Sequence, residues 1–285
     1  MRWSDLRRSD NVEDRRGFAG PRRGVALSGG GILLLLAVAY LTGQNPLTLL
    51  DAVSGPVSTD TAQQQGSAGA PSDQLGQFSA AVLGSTEDVW GNYFSAAGRT
   101  YQRPTLVLFS DSVDSACGFT SAAVGPFYCP LDRKVYLDLS FFAQLDRQFG
   151  APGDFARAYV IAHEVGHHVQ NLLGISDKVR SAQEGAAQED ANALSVRLEL
   201  QADCLAGVWA NQAERSVHLL EPGDLEAGLT AASAIGDDQL QRRAQGYTVP
   251  ETWTHGSSAM RVRWLRRGVQ NGRIDDCNTF SGEEP

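Results

Sequence analysis

Hydrophobic positions divide the chain into an apolar run, a polar stretch and a long region of mixed helical and strand-like periodicity. Gly24 to Gln44 carries no charged residue, and its centre, Ile32 to Leu41, is apolar or aromatic throughout. A helix of about 20 apolar residues spans a bilayer, so residues 24–44 read as a transmembrane signal anchor. Residues 45–74 turn to Ser, Thr, Gln, Gly, Ala and Pro. They hold too few large apolar groups to fold alone and predict a flexible linker. The remaining residues, 75–285, are long enough for one domain with a substantial core. Within them Leu75 to Ala97 has an amphipathic helical pattern. Thr105 to Phe109 and Lys134 to Asp138 have the β-branched and aromatic character of strands.

Gly153 to Gly174 is apolar almost all round, the mark of a buried helix. Phe155, Ala158, Ala162 and Val165 recur at helical spacing, Gly153 or Asp154 can cap the start, and Gly174 can end the helix in a left-handed conformation. Gly166 in its interior costs about 1 kcal/mol relative to Ala, and close approach of another element is a reason to accept that cost. Ser195 to Trp209 is a second helical run. The expected class is α+β with helices dominant.

Charge adds an orientation. The segment 1–23 holds seven arginines against four acids, a net +3, so the remainder of this −9 chain carries −12. A basic segment ahead of an apolar run predicts a cytoplasmic leader over 1–23 and an extracytoplasmic domain. Ala37 to Ala39 offers a cleavage-type sequence for the rival reading as a signal peptide, which the long leader and polar spacer disfavour. The acidic domain speaks against nucleic acid as a partner.

The candidate chemistry lies in the buried helix. His163 and His167 are four apart and so share a helical face, with Glu164 beside them, the H-E-x-x-H arrangement of zinc peptidases. In that reading the imidazoles hold zinc and Glu164 is the general base for a metal-activated water. A catalytic zinc needs a third protein ligand. On the second helix Glu199 and Asp203 share a face; Glu199 can ligate, and Asp203 can accept a hydrogen bond from the far nitrogen of a ligating histidine. His168 points about 100° away from His167 on a helix and reads as a supporting or structural group.

HEVGHH at residues 163–168 followed by ELQADCLAGVWA at 199–210 resembles the bacterial neutral zinc metallopeptidase family of membrane-anchored proteases. Further similar segments are GRTYQRPTLVLF, SACGFTSAAVGPFYCPLDRKVYLDLSFF, AIGDDQLQ and THGSSAMRVRWLRRG. The resemblance implies a zincin-like scaffold and a gluzincin site, with His163, His167 and Glu199 as zinc ligands, Glu164 as base and a peptide or protein substrate. It also makes Val135 to Leu139 the strand that lines the cleft and pairs with extended substrate.

Four cysteines pair in three ways. Cys117 and Cys129 flank a short loop and form the natural local pair, leaving Cys204 to tie the second site helix to Cys277. With no second cysteine at metal spacing, Cys204 is not expected to bind zinc. His255 is weighed both as an oxyanion-stabilising group and as a histidine at a helix start. Asp237 and Asp238 are expected to cap the helix that follows them. The competing functional class is a tethered binding or chaperone-like module with a structural or vestigial zinc site. An intact Glu164 argues against it, since a structural site has no use for a base beside an open position.

Overall fold

The computed structural model describes residues 1–16, 67–69 and 71–281. The anchor expected over 24–44 and most of the linker therefore lie outside the described residues. Among the described residues no helix is long and apolar enough to cross a membrane.

Strands β1 (Val12–Asp14), β2 (Ser67–Ala68), β3 (Thr105–Phe109), β6 (Phe127–Cys129) and β7 (Lys134–Asp138) form one sheet in the order β2-β1-β3-β7-β6. β1, β3 and β7 run parallel, while β2 and β6 are antiparallel to their neighbours. β4 (Ser112–Ser115) and β5 (Gly118–Ser121) make a separate hairpin. The period-2 alternation of a strand sends its side chains to opposite faces. Leu106, Leu108, Val135 and Leu137 enter the main core, whereas Val107, Phe109 and Tyr136 join Val113 and Cys129 in a smaller one. Both faces of these strands are thus covered, and their central positions read as unbroken apolar runs.

The helices are α1 (Gln74–Ala96), α2 (Ser140–Arg147), α3 (Asp154–Leu172), α4 (Ile175–Gln183), α5 (Gln188–Val217), α6 (Asp224–Ala234), α7 (Asp237–Gln245) and α8 (Ser258–Asn271). The two strands and the three helices read from the sequence are all present, α5 extending well beyond the expected run at both ends. Gly174 follows α3 in the left-handed region at φ 74°. Disulfides join Cys117 to Cys129 and Cys204 to Cys277, the pairing expected. The first ties the turn of the β4–β5 hairpin to the end of β6. The second fastens the middle of α5 to the turn after α8.

The segment expected to stand apart as a leader is built into the fold over residues 1–16. Residues 1–16 belong to the same compact unit as the body of the chain, with Val12 1 % exposed in the sheet and Ser9 fully buried. Three of the seven arginines of the segment 1–23 are ion-paired within this unit: Arg7 with Glu87 and Asp88, Arg15 with Glu13, and Arg16 with Asp14 and Asp73. α1 differs from its amphipathic expectation for the same reason. Phe78 to Glu87 is buried without a break because the N-terminal segment covers the helix's outer face.

Candidate metal centre

α3 and α5 pack side by side, and Gly166 makes that possible. A Cβ placed there would lie 3.0 Å from the Ala202 carbonyl oxygen and 3.2 Å from its Cα. The close approach expected of this glycine is therefore present, and it brings the two predicted motifs face to face.

His163, His167 and Glu199 converge. Their donor atoms are 3.2 Å apart between the two Nε2 atoms, 3.1 Å from His163 Nε2 to Glu199 Oε2 and 3.3 Å from His167 Nε2 to Glu199 Oε1. A tetrahedral zinc with bonds of about 2.0–2.1 Å has donor–donor edges of about 3.3–3.4 Å. The triangle thus fits zinc with three protein ligands and a fourth position left over.

The surroundings fix the tautomers this requires. Gln170 is fully buried; its amide nitrogen donates to the Leu198 carbonyl at 2.7 Å, so its oxygen is the atom that faces His167 Nδ1 at 2.9 Å. That oxygen can only accept, so Nδ1 of His167 carries the hydrogen and Nε2 presents its lone pair to the centre. His163 Nδ1 donates in the same way to Asp203 Oδ1 at 2.8 Å. Both imidazoles are held as ligands by groups that never touch the metal position, the arrangement that orients metal-binding histidines elsewhere.

Asp203 is fully buried and shared four ways. Its Oδ1 accepts from Tyr159 Oη at 2.6 Å, from His163, and from Arg261 Nη2 at 2.9 Å, while Oδ2 accepts from Arg261 Nε at 2.8 Å. Burial pushes this carboxyl upward, but the Arg261 guanidinium and then His163 outweigh it and hold the pKa down to about 2. The orienting role expected of Asp203 has its geometry here. Arg261 of α8, itself 2 % exposed, completes it. Neither Arg261 nor Gln170 was singled out from the sequence. One arginine among the four on α8 carries no local signal, and Gln170 had only its place three residues after His167.

Electrostatics within the centre follow from burial and crowding. Burial raises the Glu199 carboxyl, and His167 and then His163 overcome that, leaving it well below its ordinary range. Glu164 is 8 % exposed, and burial pushes its carboxyl pKa up despite the two histidines. A raised carboxylate is a stronger proton acceptor than a solvated one.

The remaining expected groups sit around this core. His255 is not among the converging ligands. Its ring stands 3.2 Å from Asp237 Oδ1, half exposed, and Asp237 followed by the charge of Glu199 raises its pKa against the pull of burial. Asp237 does not cap its own helix. Its Oδ2 instead accepts the backbone N–H groups of Thr254, His255 and Gly256 at 2.8, 2.7 and 3.0 Å, which fixes the loop presenting His255. His168 is structural: it is fully buried, meets Tyr128 Oη at 3.0 Å and donates to the Gln102 carbonyl at 2.6 Å. The strand at 134–138 is interior, flanked by β3 and β7's other neighbour β6, so it has no free edge for substrate. Among the described residues the edge strands of this sheet are β2 and β6, and β6 is the one beside the strand at 134–138.

The sequence model of the family described as "Putative neutral zinc metallopeptidase" matches residues 1–280. The chain is 48 % identical to the uncharacterized protein YpfJ of Escherichia coli (strain K12) over 286 aligned residues, covering 98 % of this chain and 99 % of that protein. It is likewise 48 % identical to the uncharacterized protein Rv2575 of Mycobacterium tuberculosis (strain H37Rv) over 194 residues, 65 % of this chain and 64 % of that one. No solved structure matches the chain.

Proposed function

We propose, for a chain that belongs to the neutral zinc metallopeptidase family, that it is a zinc-dependent endopeptidase. The observation carrying this reading is the partly buried triangle of His163 Nε2, His167 Nε2 and the Glu199 carboxylate, with Glu164 on the adjoining helical position. His163, His167 and Glu199 would hold the ion. When bound, zinc supplies a Lewis acid for a carbonyl oxygen and for water. Glu164 takes a proton from the attacking water and delivers it to the leaving amine. Asp203 and Gln170 keep the two imidazoles from turning while this happens.

His255 is assigned the role of donor to negative charge developing on the scissile carbonyl oxygen. Its link to Asp237 keeps it protonated more readily than a free imidazole. Extended substrate adds to the open edge of β6, where backbone pairing holds a peptide with little demand on its side chains. β6 is tied to the site helix: Tyr128 Oη accepts from Asn171 Nδ2 at 3.0 Å and meets His168.

The test is Glu164→Gln in the whole protein, with zinc content and cleavage of a peptide library measured on the same preparation. Near-stoichiometric zinc with cleavage lost is the expected result. Undiminished cleavage would overturn the role of Glu164. Zinc retained by the unmodified protein with no peptide cut would return the binding-module reading.

A further inference from the structure

The structure assigns the N-terminal sixteen residues to the metallopeptidase fold itself, and we infer that they lie on the same side of any membrane as the metal centre. This conclusion does not depend on the proposed activity.

Three sets of contacts build the segment in. First, β1 pairs in parallel with β3, Val12 opposite Leu106 and Asp14 opposite Leu108, and Glu13 meets Lys134 of β7 at 2.7 Å. Second, the buried Glu87 of α1 collects the segment's polar groups: Ser9 Oγ at 2.6 Å, Asn11 Nδ2 at 2.8 Å and Arg7 Nη2 at 2.8 Å. Stripped of the segment, Glu87 would be a carboxylate in a largely apolar helix without these partners, which is costly. Third, the backbones interlock. Ser9 N–H donates to the Ala80 carbonyl at 2.9 Å, and a Cβ on Gly84 would fall 2.3 Å from the Arg7 carbonyl oxygen. The family match independently begins at residue 1.

Topology then decides the compartment. The chain leaves the sheet after β1 and rejoins it at β2, where Asp14 pairs with Ser67. Paired strands lie about 4.8 Å apart, and a hydrocarbon core of about 30 Å cannot stand between them. A single crossing by residues 24–44 would leave its two flanks on opposite faces. Crossing and returning takes about 40 apolar residues, twice what the run offers. An N-terminus in the cytoplasm with the catalytic domain outside is therefore incompatible with an intact β1. The positive-inside signal is weakened as well, because Arg7, Arg15 and Arg16 are matched by acids of the same folded unit.

Substituted-cysteine labelling tests this directly, since among the described residues every native cysteine is in a disulfide. Ser4→Cys and Glu184→Cys, both at exposed positions, are made separately in the full chain. Each is treated with a membrane-impermeant maleimide in spheroplasts, before and after lysis. Equal behaviour at the two sites, both labelled or both protected, is the expected result. Labelling of one and protection of the other until lysis overturns the inference. A second measurement guards the structural premise. Val12→Asp should lower the melting temperature of the purified full chain by roughly 5 °C or more, as burying an unpaired charge does. An unchanged melting temperature would show that β1 is not part of the fold.

Discussion

Replacing Gly166 by Ala sets two effects of known size against each other. Alanine is favoured over glycine in a helix interior by about 1 kcal/mol. The added Cβ, however, would sit 3.0 Å from the Ala202 carbonyl oxygen and 3.2 Å from Ala202 Cα, all backbone in the middle of α5. Comfortable contact begins near about 3.5 Å, so α3 and α5 must separate by about 0.5 Å, and overpacking of this kind costs about 1–3 kcal/mol. Apo stability should therefore stay level or fall by up to about 2 kcal/mol. The metal site suffers more. Its ligands come from both helices, and ligand distances tolerate only about ±0.2 Å, so zinc affinity should weaken by about tenfold, or 1.4 kcal/mol. Competition with a chromophoric chelator measures the affinity, and thermal melting of the chelated protein measures the apo stability. Gly91→Ala in α1 is the control, since nothing lies within 4 Å of its Cβ position; there the propensity gain should appear unopposed. Unchanged zinc affinity in Gly166→Ala, with apo melting raised as much as in the control, would refute the reasoning.

Asp203→Asn should weaken zinc binding by about 10–100-fold, the usual effect of losing a partner that orients a ligand; unaltered affinity would remove Asp203 from that role. Arg261→Met leaves the Asp203 carboxylate buried without its cation and should cost about 3–5 kcal/mol of stability. Combining it with Asp203→Leu should recover part of that loss in denaturant titrations, and strict additivity would deny the coupling. His168, which burial drives down to about 4, makes stability pH-dependent. The unfolded imidazole takes a proton near pH 6.5 and the folded one resists until about pH 4, so this contribution is full above 6.5 and is lost as pH falls to 4, up to about 3 kcal/mol. His168→Gln should flatten that part of the profile in the chelated protein, and a slope equal to the parent's would contradict the assignment. Replacing Cys204 and Cys277 by Ser opens a loop with a sequence separation of 73 and should cost about 4 kcal/mol, read as a lower denaturant midpoint under oxidising conditions only.

Much of the centre is legible along the chain because helices convert spacing into proximity. His163 and His167, or Glu199 and Asp203, share a face by virtue of 3.6 residues per turn, so each pair is local information. The strands at 105–109 and 134–138 and the glycine that lets the two helices touch could be read in the same way. What local pattern cannot carry is the meeting of distant segments. Arg261 reaches Asp203 across 58 residues, and β1 joins β3 across about 90 positions of intervening chain. The basic composition of residues 1–23 reads as a leader signal as long as Arg7 and Arg16 have no known partners elsewhere in the chain. It changed meaning once Glu87, Asp88 and Asp73 were brought beside them. The edge position of β6 and the interior position of the strand at 134–138 are likewise properties of strand order, which no strand's own residues encode. Sequence alone picked out the candidate metal ligands, because residue type and helical spacing suffice for that. Tertiary structure alone decided which charges are paired, which strands stand at the edges of the sheet and which segments share one folded unit, because each depends on contacts between residues far apart in the chain.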